Sequence, residues 1–303
     1  MNLPRLRVAN APVSWGVLEF PMGAGGQSYA SVLDEIRDTG YAGTELGDWG
    51  FLPENPRTLR RELERRHLVL VGGFVPVALS DPEAHGLGEE IALRTTRLMA
   101  SAAGSAPWLI LSDDNGRSEV RTVNAGRVLP AHGLSGPQWR DVGRGADRIA
   151  RTILDECGLR TVFHHHCGGY VETPEEVDRL LQATDPELVG LCLDTGHYRF
   201  GGGDSAEVVR RYAGRIRHVH FKDCDPGVAA RSRREGWDYF ESVRQGVFCE
   251  LGKGEVDFPA VLEELRRTAY TGWIVVEQDV HPGMGTPKES AGRNRAYLRS
   301  LGI

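Results

Sequence analysis

Short runs of aliphatic and β-branched residues alternate with amphipathic segments along almost the whole chain. Eight such runs are predicted as strands, at residues 6–10, 43–46, 68–74, 108–112, 160–166, 188–194, 216–223 and 272–279. Helices are predicted after each of them, at 28–39, 56–66, 88–103, 137–157, 174–183, 205–213, 258–268 and 288–301. Successive strand–helix units favour parallel strands. Eight of them predict an α/β fold that closes into a parallel eight-stranded (β/α)8 barrel.

An open, doubly wound sheet is the alternative for such a series of units. The first predicted strand is not followed by Gly-x-Gly-x-x-Gly, which counts against a dinucleotide-binding open sheet. A length of 303 residues suits one barrel, so residues 1–303 are predicted as a single domain. Two longer stretches, about 113–136 and 224–254, follow the fourth and seventh strands. We expect both on the C-terminal face, as lids or as subunit contacts in a homo-oligomer.

Charge and hydropathy exclude several kinds of partner. The 36 basic and 42 acidic residues give a formal net charge of −6, and the basic residues are scattered. Proteins that bind nucleic acid usually carry a basic face, so no nucleic-acid partner is expected. The five cysteines form no CxxC pair and are interpreted as reduced thiols. The sequence shows neither a signal-peptide pattern nor a bilayer-spanning run, so we expect a cytoplasmic protein without a membrane partner.

Polar side chains fall at the ends of four consecutive predicted strands. Side chains alternate between the two faces of a strand, so each residue can be assigned to the barrel interior or to the helices. In the fifth strand His164 and His166 share a face, and the next three strands bring Asp194, His220 and Glu277 to the same mouth. Imidazoles and carboxylates converging from separate strands are what a catalytic divalent metal requires. The sequence therefore predicts a metal site at the barrel mouth.

The runs that contain these residues resemble the xylose-isomerase-like sugar isomerase/epimerase superfamily of TIM barrels. The matching runs are LDTGH at 193–197, HVHFKD at 218–223 and GWIVVE at 272–277. Within the superfamily, the chain is most similar to the inosose dehydratases of inositol catabolism. The runs that carry this likeness are GTELG at 43–47, HHHCG at 164–168 and GKGEVDF at 252–258.

The resemblance implies metal ligands on four successive strands: a Glu, an Asp, a His and a second Glu. The last three fall on Asp194, His220 and Glu277, and the first falls on His164, with His166 as the alternative. Two carboxylates in place of three leave a divalent site formally neutral, so the ion should be a stronger Lewis acid. We expect Mn2+ or Co2+; Zn2+, Fe2+ and Mg2+ are the other candidates.

The resemblance also implies a lyase of carbohydrate metabolism that removes water from a keto-polyol, 2-keto-myo-inositol, through an enediolate. The base would be His166 or Glu45. Lys222 would stabilise the enediolate or protonate the departing hydroxyl, and a salt bridge to a ligand carboxylate is its structural alternative. The side chains expected to contact the substrate are Trp15, Glu19, His197, Lys253 and Asp279.

Other activities use the same barrel. An isomerase or epimerase acting on a ketose needs the same metal and enediolate, with two bases on opposite faces of the substrate. An abasic-site endonuclease would need a basic surface, which the net charge of −6 argues against. Residues 13–19, VSWGVLE, depart from the Gly-Trp-x-Asn segment typical of inosose dehydratases, which leaves the substrate open. For Trp15 the alternative to a substrate contact is packing in the core.

Overall fold

The computed structural model describes residues 6–16, 27–279 and 283–303. Its strands are β1 Arg7–Asn10, β2 Gly43–Glu45, β3 Val69–Pro76, β4 Trp108–Ser112, β5 Thr161–His164, β6 Val189–Asp194, β7 Ile216–Phe221, β8 Asp223–Cys224, β9 Phe248–Cys249 and β10 Trp273–Val276. Eight of them close into a barrel in the order β1-β10-β7-β6-β5-β4-β3-β2, and every pair in it is parallel. The predicted parallel barrel is therefore confirmed, and the open sheet is excluded.

Helices connect the strands and cover the barrel. They are α1 Tyr29–Thr39, α2 Pro56–Glu64, α3 Ala84–Ala102, α4 Glu119–Val123, α5 Gly136–Cys157, α6 Pro174–Ala183, α7 Thr195–Phe200, α8 Ser205–Arg211, α9 Pro226–Glu235, α10 Tyr239–Arg244, α11 Phe258–Arg267 and α12 Pro287–Ser300. Short 3-10 helices lie at Pro12–Trp15 and Pro130–His132. Local sequence fixes several starts: at α6 the Thr173 hydroxyl accepts the Glu176 N–H, and the Glu176 side chain reciprocates. Across the described ranges, no helix has the length and apolar character needed to cross a membrane.

The faces of β6 show how the barrel delivers polar residues to its mouth. Leu191 and Leu193 belong to the main hydrophobic core together with helix residues. Cys192 packs instead with Ile110 and Val162 in a small separate cluster. Residues two apart in a strand share a face, so Asp194 points the same way as Cys192, into the barrel. It does so at the last residue of the strand.

The fifth strand ends earlier than predicted. The sequence predicts a strand over 160–166, but β5 stops at His164, and the His166 N–H donates to the carbonyl of Val171 at 3.0 Å. The chain therefore turns at His166 instead of continuing along the barrel wall. The alternation that placed His164 and His166 on one face holds only as far as His164.

The two long stretches contain secondary structure and contact each other. Residues 113–136 carry α4 and a 3-10 helix, and residues 224–254 carry α9 and α10 beside the antiparallel β8–β9 pair. Arg233 Nε donates to the carbonyl of Gly126 at 2.7 Å, and Arg127 Nη1 donates to the carbonyl of Trp237 at 2.8 Å. Both stretches follow barrel strands at their carboxyl ends, so they lie on the face that carries the polar mouth.

Candidate metal centre

Four side chains from neighbouring barrel strands meet at the carboxyl-terminal mouth. His164 and Asp194 end β5 and β6, His220 lies near the end of β7, and Glu277 follows β10 directly. One ligand-type atom from each residue lies within 4.8 Å of the others. His164, Asp194 and His220 are at most 2% exposed. These are the four residues that the sequence placed together as metal ligands.

Three facing atoms of this group have no hydrogen-bond partner among the described residues. Both ring nitrogens of His164 and Oδ2 of Asp194 are buried without a hydrogen bond. His164 Nε2 lies 3.8 Å from Asp194 Oδ2, and His220 Nδ1 lies 3.0 Å from Glu277 Oε1. Buried polar atoms are normally satisfied, and imidazole with carboxylate is a common donor set for divalent transition metals. The group therefore fits a divalent metal ion.

The charge states of His164 and Glu277 suit such an ion. Burial, reinforced by the nearby His220, lowers the pKa of His164 to about 3, so its ring is neutral and keeps a lone pair to donate. Burial opposes the charge of Glu277, but His220 and Lys222 outweigh it and hold the pKa of this carboxyl well below its usual range. A carboxylate and a neutral imidazole are the protonation states that bind metal.

Asp194 uses its two oxygens differently. Oδ1 accepts the backbone N–H of His197 at 2.7 Å and so caps the first turn of α7, whereas Oδ2 faces His164. The cap ties the carboxylate to the turn between β6 and α7. One oxygen is thus held by the backbone while the other stays available at the centre.

Glu45, at the end of β2, lies between two imidazoles of β7. Its Oε1 accepts from Nε2 of His218 at 2.8 Å and from Nε2 of His220 at 2.9 Å. Burial opposes its charge, but the two imidazoles outweigh burial and hold the pKa of Glu45 at about 2. Because Nε2 donates to Glu45, Nδ1 is the nitrogen of His220 that would bind a metal once it has released its own proton. Glu45 therefore contacts the proposed ligand His220 on the side away from the centre, whereas the sequence predicted it as a base that acts on the substrate.

A second group of ligand-type atoms shares His220. Cys192, His218 and His220 also lie within 4.8 Å of one another. Nε2 of each histidine is already bonded to Glu45, and burial raises the pKa of the Cys192 thiol to about 12. Only a thiolate is a strong ligand. The four-residue group is therefore the better candidate centre.

Lys222 forms the salt bridge that the sequence left open. Its Nζ lies 3.1 Å from Asp279 Oδ2 and 3.4 Å from Glu277 Oε2, and 4.9 Å from the centre of the Phe248 ring. Burial opposes the charge, but the carboxylates of Asp279 and Glu277 outweigh it and raise the pKa of Lys222 above its usual value. A fixed ammonium thus borders the candidate centre, and Asp279 holds it there.

His166 lies beside the four-residue group and not in it. Its ring centre is 5.8 Å from that of His164 and 3.8 Å from that of His197. Nδ1 lies 2.6 Å from the carbonyl oxygen of Cys167, and Nε2 lies 3.2 Å from the hydroxyl of Tyr239. A carbonyl only accepts, so Nδ1 carries the proton and Nε2 accepts from the tyrosine. Both ring nitrogens are engaged, and of the two predicted alternatives the geometry favours His164 as the ligand.

His197, predicted as a substrate contact, lies in the wall of the site. It is buried, its ring packs 4.7 Å from that of Phe248, and its Nδ1 accepts the N–H of Cys167 at 3.3 Å. Lys222 Nζ lies 3.4 Å from its other ring nitrogen. Its contacts link the turn after β5 to the turn after β6.

Two other predicted substrate contacts, Trp15 and Lys253, are not brought to the centre. Trp15 is buried in the main hydrophobic core, and its indole N–H donates to Glu35 at 2.7 Å, so it packs as the alternative interpretation held. The side chain of Lys253 is 65% exposed and pairs with Glu250 at 2.7 Å. Glu19 lies outside the described residues.

Two aromatic residues of the site, Tyr239 and Phe248, were not predicted from the sequence. Both are buried and both come from the 224–254 stretch. The one local signal is Asp238, whose carboxylate accepts the N–H of Glu241 and caps α10. Such a cap predicts a short helix, but nothing local shows that the helix returns to the barrel mouth.

Comparison with known proteins gives matches over nearly the whole chain. Residues 33–301 match the family model of the xylose isomerase-like TIM barrel. The chain is 34% identical over 290 residues to an inosose dehydratase of Bacillus velezensis, covering 96% of this chain and 94% of that protein. It is 36% identical over 287 residues to the rhizopine catabolism protein MocC of Rhizobium meliloti, covering 94% and 85%.

A solved structure gives the same architecture. The IolI protein, whose crystal structure holds a zinc atom, matches with a TM-score of 0.69 over 98% of each chain. The two sequences are 14% identical, so the likeness is one of fold. It places the present chain among barrels that include a metal-binding protein.

Proposed function

Because this chain belongs to the xylose isomerase-like TIM barrel family, we propose that its four-residue centre serves the reaction of its inosose dehydratase relatives. The protein is a lyase that removes water from a keto-polyol. The proposed substrate is 2-keto-myo-inositol, and the proposed product is a trihydroxycyclohexanedione. The observation that carries the proposal is the buried group of ligand-type atoms at the mouth, three of them without a hydrogen bond, in a chain 34% identical to an inosose dehydratase.

The residues that would hold the metal are His164, Asp194, His220 and Glu277. When bound, a divalent ion supplies a Lewis acid that polarises the substrate carbonyl and stabilises negative charge on its oxygens. In the metal-bound state both imidazoles would be neutral, so the two carboxylates would balance the charge of such an ion. We propose Mn2+ or Co2+, with Zn2+, Fe2+ and Mg2+ as alternatives, since the donor set suits several ions.

Lys222 is suited to stabilise charge on the substrate. Its ammonium is held 3.1 Å from Asp279 and 3.4 Å from Glu277, so it stays charged and stays at the centre. An ammonium beside the enediolate oxygens would favour the intermediate over the ketone. The raised pKa of Lys222 makes it a poor base, because a base must first lose its proton.

The α-proton of the substrate needs an acceptor. Of the two predicted bases, Glu45 is engaged by His218 and His220. His166 is left, and its ring lies next to the centre, 5.8 Å from that of His164. A general base within reach of the α-proton contributes about 10²–10⁴-fold to the rate.

The proposed activity is tested by supplying the purified protein with Mn2+ or Co2+ and 2-keto-myo-inositol. We expect an ultraviolet band of the enolic dione to grow, to be abolished by EDTA and to return when the metal is restored. Substrate conversion without the band would favour the isomerase or epimerase alternative. Activity that persists after metal removal would contradict a metal-dependent reaction of either kind.

The cellular location and the partners of the enzyme are inferred from its sequence. We propose a cytoplasmic enzyme of a small polyol, without a nucleic-acid partner, whose 113–136 and 224–254 stretches serve as lids or subunit contacts. Sedimentation of the purified chain measures its self-association. If the chain sediments as a monomer, subunit contacts are ruled out and both stretches are left with the role of lids.

A further inference from the structure

We propose that Tyr239, carried by α10 in the 224–254 stretch, is a catalytic residue whose hydroxyl oxygen takes the α-proton of the substrate and returns it to the departing hydroxyl. The inference rests on the proposed dehydration and names the atom at which its protons move. It follows from the hydrogen bonds around His166, the base candidate that the barrel places next to the metal ligands.

The ring of His166 has no free nitrogen for a substrate. Nδ1 donates to the carbonyl of Cys167 at 2.6 Å, and Nε2 accepts from the Tyr239 hydroxyl at 3.2 Å. The backbone fixes the first bond, because the Cys167 carbonyl belongs to the next residue of the chain. His166 can therefore act on a substrate only through the oxygen of Tyr239.

Tyr239 is held firmly in this position. It is 4% exposed, and its ring centre lies 5.2 Å from that of His166 and 6.3 Å from that of His197. The ring lies against Gly168, where φ is 80° and an added Cβ would be 3.3 Å from Tyr239 Cγ. A side chain at that position would therefore disturb the approach.

The short helix that carries Tyr239 is anchored at both sides of the residue. Asp238 caps α10 through the N–H of Glu241 at 2.7 Å. Ser242 on α10 and Ser232 on α9 share a hydrogen bond between their hydroxyls at 2.7 Å. These contacts are buried or half-buried, so the hydroxyl of Tyr239 is presented by a fixed element.

The hydroxyl of Tyr239 keeps bonding capacity for a ligand. Within the described residues its one hydrogen-bond partner is Nε2 of His166, to which it donates. A phenol oxygen also accepts hydrogen bonds, so its lone pairs remain to meet a proton or a hydroxyl of the substrate. The charged neighbour Lys222 has a different pairing, with Asp279 and Glu277, and is not part of this chain of bonds.

The steps balance in atoms and charge. In the first step the α C–H bond breaks, its proton goes to Tyr239 Oη, the tyrosine's own proton passes to His166 Nε2, and the electron pair stays on the substrate as the enediolate. In the second step the C–O bond of the β-hydroxyl breaks, the departing oxygen takes one proton from Tyr239 Oη, and His166 Nε2 returns its proton to Tyr239 Oη. Water and the enol of the dione are formed, and both residues recover their starting states.

The experiment compares the wild type with Tyr239→Phe, His166→Gln and the double variant. Exchange of the α-proton of 2-keto-myo-inositol in D2O is followed by NMR, and water loss is followed by the ultraviolet band. We expect Tyr239→Phe to lower both rates by about 10²–10⁴-fold. A matched control is Tyr170→Phe, which removes a half-buried hydroxyl bonded to Ser118 and should leave both rates unchanged.

Two readouts separate this role from a structural one. Residues that act as a unit give non-additive losses, so the double variant should be no slower than the slower single variant. In the metal-free protein, ¹⁵N spectra of the imidazoles should show His166 protonated at Nδ1, and Tyr239→Phe should shift the Nε2 resonance. The metal affinity of Tyr239→Phe should equal that of the wild type, and its unfolding free energy should fall by no more than the contribution of one hydrogen bond.

The outcomes that overturn the inference are distinct from those that overturn the proposed function. Wild-type protein that neither exchanges the α-proton nor loses water would overturn the proposed dehydration, and this inference with it. If the wild type turns over the substrate and Tyr239→Phe exchanges the α-proton at the wild-type rate, the role of Tyr239 would be overturned while the proposed dehydration would stand. Additive losses in the double variant would do the same, since they would mean that His166 and Tyr239 act separately.

Discussion

Glu45 accepts a hydrogen bond from Nε2 of His220 at 2.9 Å, while Nδ1 of the same ring lies 3.0 Å from Glu277 at the centre. The Glu45 carboxylate thus fixes the rotation of the His220 ring and holds a proton on its Nε2, on the side away from the centre. His218 bonds to the same oxygen at 2.8 Å, so the acceptor is itself held on a second side. Such carboxylate partners of metal-bound histidines orient the ring and increase its basicity.

Glu45→Gln should lower the affinity for the metal. A neutral amide is a weaker acceptor for the His220 N–H, and we expect a loss of about 10–100-fold. Competition with a chromophoric chelator measures the affinity of the metal-free protein. Glu35→Gln is the control, because Glu35 accepts from Trp15 away from the centre. Equal affinities of Glu45→Gln and wild type would show that Glu45 does not position the ligand.

Asp194 offers a test of its two roles. Asn caps helices as well as Asp does, so Asp194→Asn should keep the cap on α7 but weaken metal binding. Asp194→Ala removes cap and carboxylate together and should cost about 1 kcal/mol of unfolding free energy beyond the Asn variant. Urea unfolding of the metal-free proteins gives the comparison. Two variants of equal stability would argue against the cap.

Glu172 should make stability depend on pH. It is buried, accepts the N–H groups of Gly126 at 2.7 Å and Gly168 at 2.8 Å, and burial raises the pKa of its carboxyl from 4.5 to about 7. The folded state then holds the proton more tightly than the unfolded state. Stability from this group is therefore present below pH 4.5 and lost as the pH rises to about 7.

Replacing Glu172 isolates that effect. Relative to Glu172→Gln, the wild type should lose unfolding free energy as the pH rises from about 4.5 to about 7. Urea unfolding at several pH values measures the difference. Glu175→Gln, at an exposed position on α6, is the control and should run parallel to the wild type. A Glu172→Gln curve parallel to the wild type would contradict the raised pKa.

Much of the barrel could be predicted because its signals are local. The parity of residues along a strand sets the face of Asp194, and the four predicted ligands do meet within 4.8 Å. The likeness to xylose-isomerase-like barrels is confirmed by the family match over residues 33–301. These features require only strand alternation and the order of the elements.

The remainder of the site depends on contacts that no local pattern contains. The partnership of Glu45 with His220 joins residues 175 apart in sequence, on strands that are not neighbours in the barrel. His166 left the predicted face because the chain turns after β5, where the Val171 carbonyl takes its N–H. Tyr239 lies on a six-residue helix, which is too short to show the hydrophobic periodicity that predicts helices from sequence.

The proposed centre depends on the identity of its metal ligands, and Co2+ titration followed by visible absorption tests that identity most directly. We predict that the wild type binds one Co2+ ion at the four-residue centre and that His166→Gln binds it with the same affinity. His164→Gln should lose at least about 100-fold, more than the loss of an outer partner. Wild-type affinity in His164→Gln, or loss of the ion in His166→Gln, would contradict the centre described above.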